Sequence, residues 1–240
     1  MIDMIATIIN VVLILAGSLL GLVFKNRIKP QFSATLTMAL GLCVLGIGIS
    51  NVLRTSDSLC VVVCMVAGTL LGEWMKIEAR LDSIGELLRR RLLRAGDSSP
   101  FAEGFVNATV LFCVGAMAIN GSLEAGLNGD YSILISKGVI DGVTSITFAA
   151  AMGVGTAFSV IPLLFYQGGM TLLAQLVGPY LSGAVVLSMS AVGGAIIIGI
   201  ALNLLGLPKE KIRVGNMLPA IFLPLAYLPL SAALSSLGGG

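Results

Sequence analysis

The chain has 240 residues, of which 57% are hydrophobic and only 11% are charged, and its formal net charge is +2. A soluble domain carries about 25% charged residues to cover its surface. The low charge therefore excludes a large soluble protein and indicates a surface that faces the lipid bilayer. Because the charges nearly balance, we expect no nucleic-acid partner.

The sequence contains no histidine. This excludes Ser-His-Asp and Cys-His catalysis, histidine metal sites and histidine proton relays. Ser136 and Lys137 cannot act together as nucleophile and base, because neighbours in a helix point about 100° apart. We therefore expect no enzymatic activity, no metal site and no cofactor. The four cysteines lie in apolar segments and are interpreted as packing residues: Cys43, Cys60, Cys64 and Cys113.

Apolar stretches predict an all-α bundle of transmembrane helices. A helical span needs about 20 mainly apolar residues. The first stretch has no basic segment before it and is too long for a signal sequence, so we expect it to be retained. The fifth is the least apolar, and a chain of seven spans with a re-entrant fifth segment is the alternative. Eight stretches qualify as spans: 4–24, 33–53, 57–75, 102–120, 131–151, 154–177, 183–206 and 214–236.

Basic loop residues favour eight spans over seven. Clusters of three, six and three basic residues follow the first, third and seventh spans. With eight spans and the N-terminus outside, these clusters face the cytoplasm and contain 12 of the 14 Lys and Arg residues. With seven spans, the cluster at 209–213 would face outward, against the positive-inside rule. We therefore predict that both termini lie outside.

Related hexapeptides precede the same three basic clusters, at 16–21 (AGSLLG), 67–72 (AGTLLG) and 201–206 (ALNLLG). This self-similarity is consistent with internal repeats, which many transporters contain. Chance is the alternative explanation, because alanine, glycine and leucine are common in membrane helices.

The segment 76–94 differs from the spans because charges cover most of its faces. We predict an amphipathic helix on the cytoplasmic surface, within a single transmembrane domain that covers residues 1–240. A structural surface helix is the favoured role and a lipid sensor is the alternative. Its apolar residues recur at helical spacing: Ile77, Leu81, Ile84, Leu88 and Leu92.

Local sequence predicts irregular backbone in two late spans. Pro219, Pro224 and Pro229 each remove a backbone hydrogen bond from the eighth span, which we expect to be bent or broken. In the sixth span, Gln167 is followed by Gly168 and Gly169. We expect an unwound stretch with free carbonyl groups there.

Lys137 and Asp141 provide the candidate site. They are four residues apart in the fifth span, so they face the same side of a helix and can pair. An unpaired charge near the bilayer centre costs about 2.5–3.5 kcal/mol on insertion scales, so such residues face the bundle interior or water. We predict an ion or substrate site, and a structural ion pair is the alternative. Further polar positions at comparable depth complete the predicted site: Gln167, Asn107, Thr109, Ser136 and Gly168.

The oxygen-rich character of these residues suits Na⁺, or a proton carried on Asp141. We predict a small secondary transporter or ion-coupled carrier for an unknown small solute or ion, assembled as a homodimer in the bilayer. The alternative is an ion channel, or a membrane-embedded regulatory or scaffold protein without transport. An intramembrane enzyme is the least favoured class.

Several strings in the chain resemble a known family: CVGAMAI (113–119), KGVIDG (137–142), YQGG (166–169) and the segment GTLLGEWMKIEARLDSIG (68–85). They are similar to the domain-of-unknown-function 554 family of prokaryotic membrane proteins, and the resemblance covers nearly the whole chain. It implies a multi-pass fold in the bacterial cytoplasmic (inner) membrane. It implies no activity or ligand, so the site prediction depends on the physical interpretation of the residues.

Overall fold

The structure is a computed structural model that describes residues 4–25, 30–55, 57–92 and 101–238. The described residues are predominantly α-helical and contain no strand. Two 3₁₀ helices cover Gly178–Tyr180 and Val214–Phe222. The α-helices in chain order are α1 (Ile5–Lys25), α2 (Pro30–Val52), α3 (Ser58–Met75), α4 (Ile77–Leu92), α5 (Phe101–Cys113), α6 (Ala116–Asn128), α7 (Ser132–Met152), α8 (Gly155–Phe158), α9 (Val160–Leu172), α10 (Ala174–Val177), α11 (Gly183–Leu204) and α12 (Pro224–Gly238).

Five of these helices are long and apolar enough to cross a membrane as single elements: α1, α2, α3, α7 and α11. Three further candidate spans are bent pairs, with bends of 58° between α5 and α6, 70° after α9 and 45° before α12. The segment that the seven-span alternative folds as a re-entrant loop is one continuous helix, α7. α11 is the most deeply buried of the five helices. In its apolar 18-residue segment 78% is buried inside the bundle, against 22% in that of α3.

Close contacts at glycines show that the α5–α6 pair crosses the bundle. α1 and α7 run parallel, because a Cβ atom on Gly17 would lie 2.1 Å from the Gly142 carbonyl oxygen and one on Gly21 would lie 2.2 Å from that of Ile146. α7 can be parallel to α1 only if an odd number of crossings separates them, so a third crossing must be added to those of α2 and α3. That third crossing is the α5–α6 pair.

The other two bent pairs also cross. Gly155 packs against Phe101 at the start of α5, and Gly126 near the end of α6 packs against Thr171 in α9. The span that contains α8 and α9 therefore runs alongside α5–α6 from one end of the bundle to the other. Gly72 and Gly68 of α3 pack against Asn216 and Ala220, so the eighth span runs antiparallel to α3. These directions support eight passes.

The described members of the three basic clusters lie at one end of the bundle. Lys211 lies 3.7 Å from Glu103 at the start of α5, and Arg213 lies 3.8 Å from Glu73 at the end of α3. The C-terminal end of α1, which carries Lys25, packs beside the end of α7, and Met152 at that end contacts Gly104 of α5. The charge asymmetry predicted from the loops is thus present for the basic side chains that the structure describes. Arg27, Lys29 and Arg94 lie outside the described residues, as do the side chains of Arg89, Arg90 and Arg91.

The amphipathic segment forms the helix α4, which ends at Leu92; residues 93 and 94 lie outside the described part of the chain. The chain turns into α4 at Lys76, whose φ of 53° is left-handed. The Glu78 carboxylate accepts a hydrogen bond of 2.6 Å from the Gly215 amide, and the Glu78 amide donates one of 2.7 Å to Asn216. The side chains of Ile84, Leu88 and Leu92 lie outside the described part.

This reciprocal pair of hydrogen bonds fastens α4 to the start of the eighth span. Burial raises the pKa of the Glu78 carboxyl, and the hydrogen bond from Gly215 opposes that shift.

One predicted break is confirmed and one is wrong. The eighth span begins as a 3₁₀ helix that contains Pro219 and bends by 45° before Pro224, as the prolines predicted. Gln167, Gly168 and Gly169 instead lie within the continuous helix α9. Two glycines are not enough to unwind a helix in an apolar environment, because its backbone hydrogen bonds would then lack partners. The 70° bend of that span lies beyond α9, where α10 begins.

Candidate functional site

The site is built where α1 packs closely against α7. A side chain at Gly17 would overlap both the Gly142 carbonyl oxygen and the Ser145 hydroxyl, which would lie 2.1 and 2.2 Å from its Cβ atom. Gly138 meets the backbone of Asn10 on the other helix. Small residues allow such close approach of membrane helices. The result is that the Asn10 side chain lies directly against Asp141.

Four buried polar side chains, which we call the polar cluster, converge at this contact. Lys137 and Asp141 form an ion pair within α7. The Asn10 side-chain amide donates to the Asp141 carboxylate at 3.1 Å and to the Gln167 side-chain oxygen at 3.0 Å. Asn10 and Gln167 are fully buried, while 6% of Lys137 and 7% of Asp141 remain exposed. The polar cluster therefore joins α1, α7 and α9 near the middle of the bundle.

The hydrogen bonding of the polar cluster is incomplete among the described residues. The Asn10 side-chain oxygen and the Gln167 side-chain nitrogen are buried without a hydrogen-bond partner. A buried polar group that lacks a partner costs about 1–3 kcal/mol. An arrangement selected only for stability would pair these atoms or replace them with apolar groups.

The helical conformation is interrupted between α5 and α6, across from the ion pair. α5 ends at Cys113 and α6 begins at Ala116, and Gly115 between them is extended, with φ of −149° and ψ of 149°. No side chain caps the start of α6. The first amide groups of a helix have no partner within the helix, and they carry the positive end of its dipole. The break therefore presents backbone hydrogen-bond donors in mid-span.

The ion pair and the helix break line one cavity of about 590 Å³. Lys137 and Asp141 form its floor, since both are nearly buried, and Arg54 at the end of α2 is exposed at its mouth. Val114, Gly115 and Met117 form the wall at the break. Because Arg54 follows the end of α2 remote from the basic clusters, the cavity extends toward that end of the bundle, and the exposed side chains of Ile47 and Ile140 also border it on the outer surface.

The structure brings together only part of the predicted set. Gln167 reaches Asp141 through Asn10, and Gly168 faces the side-chain methyl group of Met4, just before α1, which would lie 2.5 Å from a Cβ atom at that position.

Three predicted residues are not members of the polar cluster. Ser136 is exposed on another face of α7. Asn107 donates at 3.7 Å to the sulfur of Met152, which lies about three helical turns beyond Asp141 along α7. The Thr109 hydroxyl is buried without a partner and lines neither the cavity nor the polar cluster.

The predicted site left out three contributors: Asn10, Arg54 and the helix break at Gly115. A lone asparagine inside the apolar first span was a usable signal for Asn10. Among the described residues, no group of three or more Cys, Asp or Glu side chains is placed to hold a metal ion.

The fold and this site define a multi-pass α-helical membrane protein with an ion pair buried inside its helix bundle. The chain belongs to the DUF554 family, described as proteins of unknown function, whose model matches residues 5–228. This confirms the family resemblance. No solved structure matches the chain.

Two relatives are similar over nearly their full length. The uncharacterized membrane protein YdfK of Bacillus subtilis (strain 168) is 34% identical, over 92% of this chain and 94% of the relative. The uncharacterized protein YqgA of Escherichia coli (strain K12) is 32% identical, over 94% of this chain and 95% of the relative.

Proposed function

We propose that this protein is a small secondary transporter whose coupling ion is a proton carried on Asp141. The observation that carries the proposal is the buried Lys137–Asp141 pair at the floor of a cavity. Asp141 is the tenth residue of the 21-residue helix α7, which places it at mid-span. Charged residues at that depth are costly, and they are typical of ion and substrate pathways.

A purely structural ion pair explains the arrangement less well. Replacing a buried ion pair by apolar residues is often neutral or stabilising, so stability alone gives little reason to keep one. The pair also lines a cavity, and two amide atoms close to it lack hydrogen-bond partners among the described residues. Both features favour a site whose contacts change during function.

A carrier is favoured over an open channel. The cavity reaches Lys137 and Asp141 from one end, and Asn10 and Gln167 behind them are fully buried. The close contact between α1 and α7 also lies behind the ion pair, on the side of Asn10. A carrier requires such a barrier beside its site, because access alternates between the two sides. By the positive-inside rule the cavity mouth faces the outside of the inner membrane.

Proton coupling follows from the partners of Asp141. Lys137 holds one carboxylate oxygen of Asp141, and Asn10 donates to the same atom. The other carboxylate oxygen is left for an ion, but a sodium ion bound there would be repelled by the neighbouring Lys137 ammonium group and would need several further oxygen ligands, whereas a proton needs only that oxygen. Protonation of Asp141 removes its negative charge and so breaks the ion pair with Lys137. Lys137 is then held less firmly in the polar cluster.

Reconstituted protein tests the proposal. Liposomes that enclose a pH-sensitive dye are challenged with a panel of small anionic, cationic, zwitterionic and neutral solutes. We expect at least one solute to drive proton entry in the wild type and in Asp130→Asn, which removes an exposed loop carboxylate. Asp141→Asn is expected to remain folded and to reduce that proton flux at least tenfold.

The proposal fails if Asp141→Asn shows the proton flux of the wild type. It also fails if no solute of the four classes drives proton entry through the wild-type protein. A flux carried equally well in both directions without saturation would identify a channel instead.

A further inference from the structure

We propose that the solute carried at this site is a small oxyanion, such as a carboxylate, held between Lys137 and the start of α6. This inference rests on the proposed function, and it adds the chemical class of the substrate. Three properties of the cavity support it: the charges of its lining, the backbone donors at the helix break, and the linkage between Lys137 and Asp141.

The charged side chains that line the cavity favour an anion. Lys137 and Arg54 contribute two positive charges, and Asp141 contributes one negative charge. When Asp141 is protonated, Lys137 loses its ion-pair partner, and the charged side chains in the described lining are then both positive. A buried ammonium group without a counter-ion is strongly unfavourable, so a bound anion would supply the missing charge.

The helix break adds donors that suit an oxyanion. α6 has 13 residues, its N-terminal residue Ala116 lines the cavity, and no side chain caps it. The free amide groups there and the Lys137 ammonium lie in the wall of the same cavity. Broken membrane helices hold carboxylate groups of substrates in this way, at the positive end of a half-helix. An anion bound here would provide the cap that the sequence omits.

The same residues link anion binding to proton binding. The groups that surround Asp141 are Lys137 on its own helix, Asn10 on α1, Gln167 on α9 behind Asn10, and the thiol of Cys113 on α5, with Arg54 at the cavity mouth. Lys137 cannot neutralise both Asp141 and a bound anion. Protonation of Asp141 therefore strengthens anion binding, and by reciprocity the anion favours protonation. Apparent affinity should change by up to about tenfold per pH unit where Asp141 titrates.

Binding measurements on the purified full chain test this inference independently of transport. Thermal unfolding is followed with L-lactate or inorganic phosphate as probes, and with choline or glycerol as cationic and neutral controls, at fixed ionic strength. We expect at least one anion to raise the unfolding temperature, and to do so more at pH 5.5 than at pH 7.5. Choline and glycerol should have no specific effect.

Variants separate the site from general charge effects. Lys137→Gln should weaken anion binding at least tenfold, and Arg54→Gln should weaken it several-fold, most strongly at low salt. Arg80→Gln changes an exposed cation on α4 at the other end of the bundle and should have no effect. If Lys137→Gln does not fold, Lys137→Arg and Arg54→Gln provide the comparison.

The inference is overturned if neither anion stabilises the protein, or if the two cavity variants bind the anion as the wild type does. Asp141-dependent proton flux driven only by cations or neutral solutes would overturn it while leaving the proposed function intact. Anion binding without any coupled flux would have the opposite meaning: the site would stand and the transport function would fail.

Discussion

Two glycine-lined contacts hold the bundle together, and they differ in what they bury. The parallel contact of α1 with α7 contains Gly17 and Gly142 and encloses the Asn10–Asp141 hydrogen bond. The antiparallel contact of α2 with α11 contains Gly48 and Gly194, where added Cβ atoms would lie 2.9 and 2.7 Å from the facing carbonyl oxygens. Its surroundings are mainly apolar, with Ile198 against Gly48.

Close glycine contacts serve two different purposes in this bundle. In both contacts glycine allows two backbones to approach closely, which is a matter of packing. Only the α1–α7 contact uses that proximity to place polar side chains from different helices on one carboxylate. Changes at either contact should therefore reduce stability, but only changes at the α1–α7 contact should strongly reduce function.

The largest loss is expected for Gly17→Ala. The new methyl group would overlap Gly142 and Ser145, so α1 must move away from α7, at a cost near the upper end of the roughly 1–3 kcal/mol typical of overpacking. Because Asn10 moves with α1, transport should also fall at least tenfold. Unfolding in mixed micelles and liposome flux measure the two effects.

The matched control is Gly169→Ala, because no atom lies within 4 Å of a Cβ atom at that position. It should retain wild-type stability and flux. Equal behaviour of the two variants would show that the α1–α7 contact is not close.

Asn10→Ala is expected to have the next largest effect. It leaves the Gln167 side-chain oxygen without its donor and removes one donor from Asp141, which costs about 1–2 kcal/mol. We also expect the pH dependence of flux to shift, because Asn10 stabilises the charged carboxylate. Ser190→Ala, which removes a buried hydroxyl without a partner on α11, should change neither quantity. If the pH dependence of flux in Asn10→Ala equals that of the wild type, Asn10 does not contribute to proton coupling.

Gly194→Ala tests the other contact. The added methyl group would press on Gly48 and Asn51, and we expect a loss of about 1 kcal/mol in the free energy of unfolding. Flux per folded molecule should fall much less than in Gly17→Ala, because the polar cluster is not disturbed, although Asn51 also lines the cavity. Gly183→Ala at the open start of α11 is the control. A tenfold loss of flux in folded Gly194→Ala would remove the functional distinction between the two contacts.

The smallest effect is expected at Glu78, outside both contacts. Because burial raises the pKa of this carboxyl, the folded state favours its protonated form. The contribution of Glu78 to stability is therefore greatest below about pH 4.3, the usual glutamate value, and declines as the pH rises through its raised pKa. Glu78→Gln should flatten this decline while keeping an acceptor for the Gly215 amide. The free energy of unfolding, measured from pH 4 to pH 7 in the wild type and in Glu78→Gln, checks this prediction. The same dependence on pH in both proteins would contradict it.

Sequence patterns predicted the fold more fully than the site. Local rules were enough to predict the spans, the position of the basic clusters at one end of the bundle, and the bend at Pro219 and Pro224, because each of these features depends on neighbouring residues. Lys137 and Asp141 were found for the same reason, since their pairing is an i, i+4 relation. Asn10 was not placed in the site because it is 131 positions from Asp141 along the chain.

The break at Gly115 gave no clear local signal either. The string CVGAMAI is apolar throughout and contains no proline, so an unbroken helix was the reasonable prediction. The two-glycine string after Gln167 looked more like a break and is helical. Where a membrane helix opens depends on which neighbours can satisfy its backbone, and that is a tertiary property.

The central claim is that Asp141 exchanges protons through the cavity, and carbodiimide labelling tests it most directly. Dicyclohexylcarbodiimide reacts with protonated carboxyl groups in apolar surroundings, and peptide mass spectrometry locates the product. We expect Asp141 in the liposome-embedded wild type to be labelled at pH 5.5 and several-fold less at pH 8.5, with no pH-dependent product in Asp141→Asn. Absence of label on Asp141 across that pH range would contradict the claim and leave Lys137–Asp141 a structural ion pair.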